Sequence, residues 1–331
     1  MVFHKKNLIH LLIYIGLITL ISSCSETSTQ LPISTPIEFP SPTPLTLPSG
    51  NGGGIIAFAS DRNSGRMDLY LINADGSELA QITHTKDDII SPSWSPDGSN
   101  LAFLVSRSGQ LSLSILSLDS ALANPLTDHS ISLVEDPVEE SPPSWSPDGS
   151  MIFYAAEEEG IVNLFKIDSD GMNKFQITDN EYNEKHPSLS PDGTKLVFSS
   201  DKSGSFDLYL IDGFNLSDIQ LQIPIQLTSG EGDDLFPSWS PDSGQILFTT
   251  TQNGDKNISI IELESGSIQT IQDSTADEWM ASWSPASNQI VFSCFNFDNA
   301  LNDIYIYHFE SKTLHAITND NFDNWWPAWR P

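Results

Sequence analysis

The chain has 331 residues, of which 44 are acidic and 14 basic, for a formal net charge of −30. So negative a surface argues against nucleic acid as a partner, because binding phosphates requires positive charge. Apolar residues make up 38% and aromatics 10%, enough for a large core and too many for global disorder, while 20 Gly and 21 Pro indicate many turns and few long helices.

Lys5 and Lys6 precede an apolar run over residues 8–21, too short for a comfortable membrane span and suited to the hydrophobic region of a secretory signal. The run ends in Ile21-Ser22-Ser23-Cys24, which resembles the lipobox of bacterial lipoproteins. That resemblance implies a signal peptide over 1–23, acylation of Cys24, and anchoring to a membrane by several acyl chains. With Cys24 lipidated, Cys294 has no partner for an intrachain disulfide. It stands in the strand-like Val291-Phe292-Ser293-Cys294 and reads as a small core residue. Residues 24–54 are rich in Ser, Thr and Pro and close with Gly50-Asn51-Gly52-Gly53-Gly54, which predicts an extended tether of roughly 3 Å per residue.

A repeat governs residues 55–331. Pro92-Ser93-Trp94-Ser95-Pro96-Asp97-Gly98 returns as Pro143-Ser144-Trp145-Ser146-Pro147-Asp148-Gly149, Pro187-Ser188-Leu189-Ser190-Pro191-Asp192-Gly193 and Pro237-Ser238-Trp239-Ser240-Pro241-Asp242. Shorter copies stand at Ala281-Ser282-Trp283-Ser284-Pro285 and Pro327-Ala328-Trp329-Arg330-Pro331. The key positions 94, 145, 189, 239, 283 and 329 lie 51, 44, 50, 44 and 46 residues apart, a period typical of propeller blades. Six copies predict an all-β, six-bladed propeller.

Each period predicts four strands. Strand A ends at the key residue and a Ser-Pro-Asp-Gly turn follows it. Strand B places Leu101, Ile152, Leu196, Ile246 and Ile290 on the same face as Phe103, Tyr154, Phe198, Phe248 and Phe292. Strand C is the Asp68-Leu69-Tyr70-Leu71-Ile72 type. Strand D is the short Gln81-Ile82-Thr83 type, with Leu126-Thr127 in the second copy. Ile55-Ile56-Ala57-Phe58 has no strand A before it, and Trp326-Pro327-Ala328-Trp329 has no strand B after it. The two ends are therefore predicted to complete one blade and clasp the ring.

The Pro-Ser-Trp-Ser-Pro-Asp-Gly repeat, followed by an apolar strand ending in Phe and then Ser60-Asp61-Arg62 or Ser200-Asp201-Lys202, resembles the propeller repeat of the TolB family over residues 55–331. In that family the propeller follows an α/β domain and binds proteins of the cell envelope, including a peptidoglycan-associated lipoprotein. The resemblance implies a non-catalytic, extracytoplasmic binding scaffold for proteins or peptides, here a monomer held on a membrane by its lipid. The same repeat type precedes the catalytic domain of prolyl-oligopeptidase-like enzymes, whose Gly-x-Ser-x-Gly elbow does not occur here.

Six residues before the key positions stand Asp88, Glu139, Asn183, Asp233, Asp277 and Asp323; one residue later come Ile89, Glu140, Glu184, Asp234, Glu278 and Asn324. Leading into the innermost strands, they are expected to ring the channel mouth on the face of the D-to-A and B-to-C loops, with Arg62, Arg66, Arg107, Lys202 and Lys256 farther out. Three readings fit such a ring: turn chemistry, in which Asp and Asn bond their own backbone; a basic or amine-bearing partner; or Ca²⁺, which needs six to eight oxygens. No cofactor is expected otherwise. Phe236, Trp279, Trp325 and Trp326 lie just before three consecutive key residues and suit either blade packing or contacts to peptide or sugar. Carboxylate pairs beside them leave a carbohydrate-binding or polysaccharide-cleaving protein as the alternative function. The repeated Trp residues read as architecture. Histidines 84, 129, 186, 308 and 315 show no metal-ligand spacing and are expected at the surface.

Overall fold

Strands B and C carry apolar residues on both faces because each blade is covered by a neighbour on either side. Burial is accordingly unbroken along Ile55–Ser60 and Asp68–Asn73. The computed structural model describes residues 46–50, 52–63, 65–123, 130–134, 141–215, 223–252, 254–272, 276–297 and 300–331. Cys24 and residues 1–45 lie outside this set, and the described residues belong to one compact unit, Pro42–Pro331. It consists of six four-stranded sheets.

In blade 1 the order from the axis outward is Asn324–Trp329, Ile55–Ser60, Asp68–Asn73 and Ala80–Gln81. The C-terminal strand thus supplies strand A to a blade whose other strands come from the start of the repeat region, as the sequence predicts. Trp329 pairs with Ile56, Ala328 with Ala57 and Asn324 with Ser60. The innermost strands of blades 2 to 6 are Asp88–Trp94, Ser144–Trp145, Glu184–Leu189, Asp234–Trp239 and Glu278–Trp283. The core lies between blades, in clusters such as Leu196, Phe198, Phe153 and Leu164 between blades 3 and 4.

In four blades strand D ends before its predicted threonine, at Ala80–Gln81, Phe175–Gln176, Ile225–Gln226 and Thr313–Ala316. The threonine beyond it turns inward: Thr83, Thr178, Thr228 and Thr318 accept the N–H groups of Leu69, Leu164, Leu208 and Ile304 at 2.8, 3.0, 2.9 and 2.8 Å. In blade 2 a short helix, Leu118–Ala123, follows strand C, and the fourth strand is Ile131–Val134 rather than Leu126-Thr127, which lies outside the described residues.

The end of the Pro-rich segment is docked on blade 1. The Ser49 N–H donates to Glu78 at 2.6 Å and Gly50 to Asn73 at 2.9 Å, while Leu47 packs against the core. The Trp329 indole donates to the Gly53 carbonyl at 3.2 Å, and Arg330 reaches the Gly98 carbonyl of blade 2 at 2.9 Å. Gly98, at φ 66°, has no room for a Cβ, which would stand 2.7 Å from that guanidinium.

Candidate functional site

Strand A shapes the axis, and its local chemistry decides where the predicted site residues go. The third residue before five of the six key positions has a left-handed φ: Ser91 at 55°, His186 at 54°, Phe236 at 56°, Met280 at 58° and Trp326 at 52°. Strand pairing shifts at these positions, so each is part of a β-bulge. In four of these five strands a proline follows, which has no N–H to give the ladder. The bulge breaks simple alternation and turns the third-residue side chains toward the axis.

The acidic positions six residues before the key residue serve the seams between blades. Asp88 accepts the N–H of Met67 at 2.9 Å, Asn183 that of Val162 at 3.1 Å and Asp233 that of Phe206 at 3.0 Å. Asp277 accepts from Lys256 at 3.1 Å and Asp323 from Asn302 at 2.8 Å. Each ties the first strand of one blade to the start of strand C in the blade before it. Of the three readings, backbone chemistry accounts for the pattern in all five, although the backbone they bond is a neighbour's rather than their own.

One residue later, Glu184, Asp234, Glu278 and Asn324 are buried in the seams instead of standing at a mouth. Burial raises the Glu184 carboxyl above the ordinary carboxylate range, partly offset by the Thr178 and Asn180 side chains, and raises Asp234 likewise. Glu139 and Glu140 lie outside the described residues. Arg62, expected on the outer loop face, is inserted at the closing seam, bonded to Asn324 at 2.7 Å and ion-paired with Asp320 at 3.3 Å.

The aromatic residues pack at the axis. Trp279 and Trp325 have ring centroids 4.8 Å apart, Trp325 and Trp326 5.4 Å, and Lys256 sits 3.6 Å from the Trp279 centroid. Phe236 packs against His186 with ring centroids 4.1 Å apart and the planes tilted by 43°. His186 is therefore a buried axial residue, not a surface one, and burial, with Lys185 nearby, lowers its pKa to about 3. The repeated tryptophans staple blades: Trp94 donates to the Ala328 carbonyl, Trp145 to Ser93, Trp239 to Ser188 and Trp283 to Ser238, at 2.9 to 3.2 Å.

The cavity lies on the opposite face from the one expected. A funnel of about 520 Å³ runs from the level of His186, Phe236, Met280 and Trp326 to a ring of prolines, 96, 147, 191, 241, 285 and 331. All six prolines are exposed. The next residue in blades 2 to 5 is an exposed aspartate: Asp97, Asp148, Asp192 and Asp242. Hydrogen bonds from Ser95, Ser146 and Ser190 come first among the causes that hold Asp97, Asp148 and Asp192 at about 2; Asp242 is lowered in the same way by Ser240. These four aspartates stand one residue beyond the prolines that line the funnel and bond their own turns; blades 6 and 1 have none, and Arg330 lies over Trp94 at 5.3 Å. Among the described residues, no group of three or more His, Cys, Asp or Glu could hold a metal ion, and the Asp168-Ser169-Asp170-Gly171 segment is a hairpin turn closed by the Gly171 N–H on the Asp168 carbonyl.

This repeat is recognised by a family model. The TolB beta propeller domain matches residues 46–188 and 177–331. The chain belongs to the TolB β-propeller domain family. Its TolB relatives include the Protein TolB homolog of Chlorobaculum tepidum, 38% identical over 126 residues, which are 38% of this chain and 27% of that protein. The matched stretch thus spans about a quarter of the relative's length. The crystal structure of TolB from Acinetobacter baumannii aligns with a TM-score of 0.72 at 20% identity, over 84% of this chain and 67% of that one. Oligogalacturonate lyase from Vibrio parahaemolyticus aligns with a TM-score of 0.51 at 14% identity, over 82% and 76%. At these identities the structural likenesses show the propeller fold alone.

In this TolB-type propeller the only sequence trace of the funnel is the Pro-Asp pair two residues after the key position in four copies, a pattern that turn chemistry alone also explains.

Proposed function

We propose that this chain is a non-catalytic binding scaffold of the bacterial cell envelope, lipid-anchored outside the cytoplasm through Cys24. It holds a protein or peptide partner whose protruding segment enters the central funnel. The funnel carries this reading: a preformed concave site walled by Pro, Trp and Ser, with exposed aspartates one residue beyond its proline ring that remain ionised down to about pH 2. Rigid rings and half-buried serines favour an extended segment, and these aspartates favour lysine or arginine beside it. The family membership supports a protein-binding propeller, and the Pro-rich stretch upstream supports a tether. Among the described residues no helix is long and apolar enough to cross a membrane, so in this reading attachment falls to the acyl chains.

A second reading is favoured by one observation, the half-buried Trp279–Trp325 pair with Lys256 over it, which suits a sugar ring. Capture experiments with Cys24→Ser protein, run against envelope proteins and a glycan array, separate the two. Asp148→Lys with Asp192→Lys is expected to weaken protein capture at least tenfold and to remove most of its salt dependence. Glycan binding alone, unchanged by that double variant, would replace the first reading with the second.

A further inference from the structure

The seams between blades repeat one contact. The key tryptophan of a blade donates its indole N–H to the carbonyl just before the key position of the preceding blade, Trp94 to Ala328 and Trp145 to Ser93. Residues at these two seams therefore correspond one to one. At the seam between blades 1 and 2, the residue after the key position is Arg330. Its guanidinium carbon lies 5.3 Å from the Trp94 ring centroid, and its Nε donates to the Gly98 carbonyl at 2.9 Å. At the seam between blades 2 and 3, Ser95 stands in the place of Arg330, Trp145 in that of Trp94 and Gly149 in that of Gly98.

Ser95 is too short to cover that turn, and its hydroxyl is engaged by Asp97 at 2.6 Å and by the Asn100 N–H at 2.9 Å. A cavity of about 520 Å³ lies there, with Ser95, Trp145, Gly149, Asp97 and Asp148 in its wall. Gly98 is buried, and a Cβ on it would stand 2.7 Å from Arg330; Gly149 is half-buried, and a Cβ on it would meet only Pro96, at 3.8 Å. The cavity adjoins the funnel, sharing Pro96, Trp145 and Pro147 with it.

The charge of this cavity is one-sided. Asp97 and Asp148 are held at about 2, first by the hydroxyls of Ser95 and Ser146. Among the described residues neither has an ion-pair partner, whereas Asp192 of blade 4 is paired with Lys195 at 3.6 Å. The Ser146 and Ser150 bonds converge on Oδ1 of Asp148, which leaves Oδ2 available. Three other seams lack part of the set. Blade 4 has Leu189 at its key position, Ser243 of blade 5 accepts the Asp192 N–H across its seam at 3.2 Å, and blade 6 has Ala286 where the aspartate would stand.

We propose that the cavity between blades 2 and 3 is a guanidinium site that receives an exposed arginine of the protein partner. Trp145 and the Gly149 carbonyl repeat the surroundings of Arg330, and Asp97 and Asp148 add counter-charge. A planar guanidinium stacks on a ring while its in-plane N–H groups reach a carbonyl and a carboxylate, a combination that the compact lysine ammonium matches poorly. The arginine thereby fixes the side of the funnel, at blades 2 and 3, along which the partner's segment enters. Its source in a protein rests on the scaffold function proposed for the funnel; the pocket's preference for a guanidinium rests on Arg330.

The test is an NMR titration of Cys24→Ser protein with N-acetyl-L-arginine methylamide and, separately, N-acetyl-L-lysine methylamide, followed at the Gly149 and Ser150 amides and the Trp145 indole N–H. The arginine probe is expected to bind about fivefold more tightly than the lysine probe. Asp97→Asn with Asp148→Asn, which keeps the acceptors of both turns, is expected to weaken arginine binding about fivefold. Trp145→Leu, patterned on Leu189, should erase the preference for arginine. Equal binding of the two probes, or shifts at Asp192 and Asp242 as large as those at Gly149, would overturn the site. Arginine binding without capture of any protein would overturn the partner as its source. Protein capture without arginine binding would overturn the pocket and leave the funnel function standing.

Discussion

Trp329→Ala tests the non-covalent closure directly. Trp329 is 4% exposed, packed among Ile56, Phe58, Val291 and Ile306, and its indole donates to the Gly53 carbonyl. Truncating a buried Trp costs about 3–5 kcal/mol through lost burial and the cavity left behind. Gly53 is exposed, so its carbonyl finds water and adds little to that cost. At roughly 2–4 °C per kcal/mol for a domain of this size, Tm should fall by about 6–20 °C. Trp239→Ala is the control, since Trp239 is similarly buried and staples Ser188 in a blade whose strands are continuous in sequence. Both variants should lose comparable stability. Only Trp329→Ala should also release the Asn324–Trp329 amides to rapid hydrogen exchange, because that strand joins Ile55–Ser60 by pairing and not through a hairpin turn. A fall of no more than about 2 °C, or wild-type protection of the C-terminal strand, would refute the clasp.

The remaining expectations follow from the same geometry. Asp233→Ala should destabilise by about 1–2 kcal/mol in chemical denaturation, because it strips the Phe206 N–H of its acceptor, whereas Asp233→Asn should be nearly neutral, as Asn183 already serves blade 4. The double variant Asp233→Asn with Asp277→Asn should leave partner capture unchanged; loss of capture at unchanged Tm would move the binding site to the loop face. Ser95→Ala removes the leading cause that holds Asp97 at about 2, so its carboxyl should titrate higher by NMR. Because Asp97, Asp148 and Asp192 are depressed in the folded state, the stability they contribute should be lost as pH falls from the ordinary carboxylate range toward 2. Cys294, buried and pushed up to about 12, should stay unreactive toward a thiol reagent in the folded protein and react stoichiometrically in denaturant.

Periodicity by itself determined the architecture. The spacing of Trp94, Trp145, Leu189, Trp239, Trp283 and Trp329 counts the blades, and the alternation of Leu101 and Phe103 orients strand B, since both signals are local and repeat six or five times. The missing strand A at Ile55 and the surplus one at Trp329 were enough to foresee which ends meet. The site was less legible. Asp88, Asp233 and Asp277 were placed correctly at the start of strand A, but a sequence does not say whether a carboxylate at a strand end faces water or an N–H in the next blade. That depends on how adjacent sheets are staggered, which here brings together residues 21 or 27 positions apart. The bulge at Ser91, His186, Phe236, Met280 and Trp326 also breaks the two-residue alternation on which facing was inferred, carrying His186 from an expected surface position to the axis. Where the channel closes and where it opens was thus decided by packing around the ring: bulky third-position side chains fill the axis at one level, and beyond them the proline turns leave the space that becomes the funnel.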